Sequence, residues 1–145
     1  LILSCVSNLY FHKTPIHYAY KNESKEIFNL LINDKRILFG DDVFLNCSSL
    51  KQIQIPSFIT EIGRNAFSGC SSLTDIQIPN SVTKIGDCAF SKCSSLTHIS
   101  IPQTVTDIGN NIFDGCSSLK EITIPKSLKS IQTLGLNSNT SIIKI

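Results

Sequence analysis

Four cysteines at a fixed interval constrain this chain more than any other feature: Cys47, Cys70, Cys93 and Cys116 stand 23 residues apart. Other columns keep the same interval. They are Pro56, Pro79, Pro102 and Pro125; Leu50, Leu73, Leu96 and Leu119; Phe44, Phe67, Phe90 and Phe113; and Gly63, Gly86 and Gly109. Columns held in step in this way mark a repeat architecture, in which each unit is one supersecondary element stacked on its neighbours. The aligned units read IPSFITEIGRNAFSGCSSLTDIQ, IPNSVTKIGDCAFSKCSSLTHIS and IPQTVTDIGNNIFDGCSSLKEIT, followed by a worn copy beginning IPKSLKSI.

Each unit has two apolar stretches. Leu73-x-x-Ile76-x-Ile78 alternates like a strand and stops at Pro79, which cannot donate to a ladder. The second stretch places Val82 and Ile85 before Ala89 and Phe90, with Gly86 between them, where a turn is expected to need backbone freedom. Neither stretch can hide its apolar side alone. Stacking coils at about 4.8 Å sets each Ile and Phe on its counterpart above and below. A buried Phe or Ile contributes roughly 1.5–3 kcal/mol, so a coil is stable only when neighbours cover it.

Composition agrees: 41% hydrophobic and 17% charged residues suffice for a core. A net charge of +2 is too small to argue for nucleic acid. No apolar run approaches the ~18–20 residues of a membrane-spanning helix, so no membrane insertion is expected of this segment. The six cysteines do not read as a disulfide scaffold. A cysteine used once per repeat reads as a small buried apolar residue, and no C-x-x-C motif or His/Cys cluster with metal-ligand spacing occurs. Cys88 falls where neighbouring repeats carry Asn65 and Asn111, and is expected to be exposed and reactive.

The unit x-I-P-x-x-V-T-x-I-G-x-x-A-F-x-x-C-x-S-L-x-x-I resembles the BspA-type class of leucine-rich repeats from Phe39 to about Leu128. The resemblance implies a mainly β solenoid of stacked parallel coils without regular convex helices, and a role in adhesion or partner binding. It supplies no catalytic motif. In the worn last copy the 23-residue period puts Leu136 in the Phe column, Asn139 in the Cys column and Gln132 in the Gly column. The chain starts at Leu1 rather than Met and stops at Ile145 within the next strand, as expected of a piece of a longer protein.

Residues 1–36 keep the period poorly. Thr14-Pro15-Ile16-His17-Tyr18-Ala19, then Glu26-Ile27-Phe28-Asn29-Leu30-Leu31-Ile32, resembles an ankyrin repeat. That likeness implies a helix pair capping the solenoid of residues 37–145, with His17 in a structural role. Pro15 suits a first helical turn, and Ile27, Leu30 and Leu31 share a helix face. A second reading stays open, because Ile27, Leu30 and Ile32 lie one period before Leu50, Ile53 and Ile55. Residues 24–33 could thus be the strand of a degenerate coil.

The candidate binding surface is the outward side of the strands. One column comprises Gln52, Asp75, His98, Glu121 and Lys144, and the next Gln54, Gln77, Ser100 and Thr123. These positions differ between repeats while Ile53, Ile76, Ile99 and Ile122 beside them do not. Asp75, His98 and Glu121 also raise an acid–base or metal alternative, but an open face offers no oxyanion donors, and no metal or other cofactor is expected. Glu61, Lys84 and Asp107 form a second column, alternating in sign. The expected function is a non-enzymatic protein-binding scaffold, the alternative a structural spacer. Unpaired cysteines and the ankyrin likeness lean cytoplasmic; the BspA likeness leans to the cell surface.

Overall fold

The structure, a computed structural model, describes residues 39–128 and 132–145. The expected helical cap, the boundary after residue 36 and the helix-or-strand alternative for residues 24–33 all lie outside the described residues. Within them the chain is a parallel β solenoid. Its strands are β1 (Gln52–Gln54), β2 (Glu61–Ile62), β3 (Asp75–Gln77), β4 (Lys84–Ile85), β5 (His98–Ser100), β6 (Asp107–Ile108), β7 (Glu121–Ile124) and β8 (Ser141–Lys144). β2, β4 and β6 pair as one parallel wall. The opposite wall holds β1 paired with β3, and β5, β7 and β8 paired in that order. β3 and β5 lie side by side, yet no ladder joins them, so this wall carries a seam.

Between the walls lies the core. Phe67, Phe90 and Phe113 are wholly buried and Phe44 nearly so. Their rings stack face to face, with centroids 5.2 Å apart for Phe44–Phe67, 5.3 Å for Phe67–Phe90 and 5.9 Å for Phe90–Phe113. The cysteine column is buried as expected, and it has a bonding role that apolar packing alone does not explain. Cys70 Sγ donates to the Phe44 carbonyl at 3.2 Å, Cys93 to Phe67 at 3.2 Å and Cys116 to Phe90 at 3.0 Å. Each thiol is a second donor to a carbonyl of the phenylalanine column in the preceding coil, which already accepts the N–H of that coil's own cysteine (Cys47 to Phe44, Cys70 to Phe67, Cys93 to Phe90). The neighbouring Cys116 thiol, reinforced by burial, holds Cys93 far above the ordinary thiol range.

Two corners per coil pass through the left-handed backbone region. One is held by Asp42, Asn65, Cys88 and Asn111 at φ of 52–59°; the other by Asn46, Gly69, Lys92 and Gly115 at 59–77°. Asn and Gly tolerate this conformation best. Cys88 therefore stands in an asparagine corner and is half-buried, where the sequence suggested an exposed thiol.

The Gly63, Gly86 and Gly109 column has a different cause from the one expected. None of the three has positive φ. A Cβ on Gly86 would lie 2.6 Å from Arg64 N, and one on Gly109 2.5 Å from Asp87 N. Close approach of successive backbones, not turn flexibility, demands glycine there.

The last coil departs from the 23-residue period. Glu121 is paired with Ser141, and Lys144 lies beside Ile124. Lys144 is thus not in the Glu121 column, as the period predicted. Leu134 is completely buried and its carbonyl accepts from Phe113 N–H at 2.9 Å, whereas Leu136 only packs against the core edge. Asn137, not Asn139, reaches the cysteine column, its Nδ2 donating to the Cys116 carbonyl at 2.8 Å. A short 3-10 turn at Gln132–Leu134, followed by Gly135 at φ 73°, takes up the shortening.

Candidate functional site: the outward strand face

Strand alternation sends Ile76, Ile99 and Ile122 into the core, 0–5% exposed. Their neighbours face solvent. Gln52 pairs with Asp75 and Gln54 with Gln77 across β1 and β3; His98 pairs with Glu121 and Ser100 with Thr123 across β5 and β7. All are exposed except Thr123, which is half-buried. The structure therefore brings the eight candidate residues onto one wall, in two groups divided by the seam.

A groove of about 820 Å³ straddles that seam. Asp75 and Gln77 line one side and His98 and Ser100 the other, with Glu121, Thr123 and Ile145 beyond them. His98 Nδ1 lies 2.7 Å from Thr97 Oγ1, so the ring is engaged by its own chain neighbour. Among the described residues no group of three or more His, Cys, Asp or Glu side chains is placed to hold a metal. No helix among them is long and apolar enough to cross a membrane.

Two members of this face escaped the sequence reading. β8 sets Ile142 beside Ile122 and Ile143 beside Thr123, so Ile143 faces outward and Ile145 follows it by alternation. Ile142, in the inward register, is 41% exposed, Ile143 43% and Ile145 44%, so at this open edge the register and not burial sets the face. Lys144, expected outward, takes instead the inward column of Ile78, Ile101 and Ile124. Nothing at a 23-residue period could reveal this; the only signal was the worn last copy.

On the other wall, Lys84 Nζ lies 3.1 Å from Glu61 and 4.0 Å from Asp107, as the alternating charges suggested. The hydrogen bond that Lys84 donates to Glu61, then the charge of Glu61 and that of Asp107, raise the Lys84 pKa above the ordinary lysine value. The pairs are solvent-exposed and form a stabilised surface rather than a reactive site.

The repeat itself decides the family. A model of the BspA type leucine rich repeat region matches residues 16–143 in six copies. The chain belongs to the BspA-type leucine-rich-repeat family. The match begins inside the segment read as ankyrin-like, and the comparisons give that likeness no support. Among solved structures of this type, a leucine-rich repeat protein from Bacteroides ovatus is 33% identical, with a TM-score of 0.70 over 75% of this chain and 28% of its own. A leucine rich cell surface protein from Faecalibacterium prausnitzii is 36% identical, TM-score 0.57, over 65% of this chain and 25% of its own. The pneumococcal vaccine antigen PcpA is 26% identical, TM-score 0.60, over 72% of this chain and 25% of its own. The chain thus spans about a quarter of the length of these solved proteins. No curated protein sequence matches it.

Proposed function

We propose that this chain is a non-enzymatic protein-binding module of adhesion type, docking its partner on the outward strand face. One observation carries the reading: exposed columns that change from coil to coil stand beside an isoleucine column that does not change and is buried from Ile76 on. Successive coils share the same packing demands, so the freedom to vary belongs to positions that meet solvent or a partner. The residues assigned to contact are Gln52, Gln54, Asp75, Gln77, His98, Ser100, Glu121 and Thr123. An enzymatic role for Asp75, His98 and Glu121 is disfavoured by an open face without convergent donors. The cell surface, rather than the cytoplasm, is the compartment that the relatives support, since one is described as a cell surface protein and another as a vaccine antigen. The division into a cap of residues 1–36 and a solenoid of residues 37–145 belongs to the same reading.

Affinity capture with the native chain and with an Asp75→Ala/His98→Ala/Glu121→Ala variant tests it. The variant, still folded by circular dichroism, is expected to lose the partner. Equal recovery by both proteins would sink the strand-face assignment, and recovery of no partner by either would make the solenoid a spacer that only presents other segments.

A further inference from the structure

The shortened last coil gives the strand face a composition that its first coils do not have. Because the side-chain period of a strand is two, a slip by an odd number of residues sends every side chain to the opposite face. The slip in β8 sets Lys144, which stays exposed at this open edge, in register with Ile124, and sets Ile143 beside the outward Thr123, with Ile145 following by alternation. Ile145 then lines the groove whose other walls carry Asp75, His98 and Glu121, and no Lys or Arg lines it. On a chain of net charge +2, this groove is a local reversal: two carboxylates with an aliphatic rim at the β8 end.

Its spacing is equally defined. β5 lies between β3 and β7, so the Asp75 and Glu121 positions are two strand spacings apart, about 10 Å. A peptide in the polyproline II conformation crossing the strands covers that distance in one turn, three residues at ~3.1 Å each, and brings its side chains back to the same face. A rim of Ile143 and Ile145 one strand beyond Glu121 adds an apolar contact to an otherwise polar wall, as the core of a docking patch requires. The seam between β3 and β5 passes through the groove, where ladder pairing is interrupted.

We infer that this groove takes a basic peptide segment of a partner protein in the polyproline II conformation: an apolar side chain sits on Ile143 and Ile145, and two Lys or Arg side chains three residues apart, on one face of the peptide, reach Glu121 and Asp75. The inference rests on the strand-face reading above and supplies its partner class. Exposed charge pairs are individually weak and salt-sensitive, so binding is modest and falls as salt rises.

Fluorescence polarisation with three blocked, labelled peptides tests this on the whole chain: Leu-Gly-Arg-Gly-Gly-Arg, its Glu-for-Arg counterpart and its Ser-for-Leu counterpart. The first is expected to bind several-fold more tightly than either counterpart. An Asp75→Asn/Glu121→Gln variant should weaken it roughly fivefold to tenfold, and Ile145→Ser several-fold, with urea midpoints unchanged. Equal binding of the acidic peptide would overturn the assigned chemistry while leaving the face in use. Binding untouched by either variant would overturn the groove itself. No binding of any peptide up to millimolar concentration would overturn the basic-peptide partner, and loss of captured partner by the Asp75/His98/Glu121 variant would then show that the face serves a different one.

Discussion

Replacing Gly86 with alanine separates two physical accounts of the glycine column. If the residue supplied turn flexibility, alanine would be tolerated, since Gly86 does not have positive φ. It would even add about 0.4–1 kcal/mol by narrowing the unfolded ensemble. The structure gives the opposite sign. The new Cβ would stand 2.6 Å from Arg64 N, 2.9 Å from Gly63 C and 3.0 Å from Arg64 Cα. All three are backbone atoms, and ordinary contact needs about 3.5–4.0 Å. Relief requires the coils to part locally by about 1 Å. Gly86 N–H donates to Ile62 O at 2.8 Å and Asn65 N–H to Asp87 O at 2.9 Å, so parting strains or breaks these bonds between the two coils. Losing one or two costs about 1 kcal/mol each, and the residual overpacking a further 1–3 kcal/mol. After the unfolded-state gain, the expected net loss is about 2–4 kcal/mol, read as a lower urea midpoint by far-UV circular dichroism. Gly40, one period before Gly63, is the internal control. Among the described residues its Cβ would meet nothing within 4 Å, so Gly40→Ala should be neutral or slightly stabilising. A Gly86→Ala midpoint within error of wild type, or an equal loss in Gly40→Ala, would refute the close-approach argument.

The remaining predictions concern the core. Phe90 is fully buried between Phe67 and Phe113, so Phe90→Ala should cost about 3–5 kcal/mol; a loss under about 1 kcal/mol in the same melt would remove the ring stack from the account of stability. Thiol labelling of the native chain, followed by peptide mass mapping, should find Cys88 modified before Cys47, Cys70, Cys93 and Cys116. Cys88 is the one of these five that is not fully buried, and Cys93 is further held in its thiol form. Labelling of the column at the rate of Cys88 would contradict the protected thiol-to-carbonyl ladder.

Much of the architecture could be read before any coordinates. A spacing of 23 residues names a stacked coil because each position must meet its own counterpart. The Phe, Leu, Ile and Cys columns accordingly appear in the core, and Glu61, Lys84 and Asp107 appear as neighbours. The partners of the cysteine thiols could not be read, because Cys93 Sγ reaches Phe67, which is 26 residues away and off the period. Nor could the cause of the glycine column, since sequence alone does not separate a left-handed corner from a backbone that passes too close for a Cβ.

The last coil marks the division most clearly. Local sequence determined that Ser141-Ile142-Ile143-Lys144 would form a strand, since β-branched residues suit a pleated surface. It did not determine which side of that strand would meet the core. That depended on how many residues the connection from β7 to β8 consumed: the shortening is two by Asn137, which takes the place of Asn139, and three, an odd number, by Ser141, which pairs with Glu121 at a separation of 20 instead of 23. Parity then followed from the two-residue repeat of a strand, which put Lys144 in an isoleucine column and Ile143 and Ile145 on the face proposed to bind.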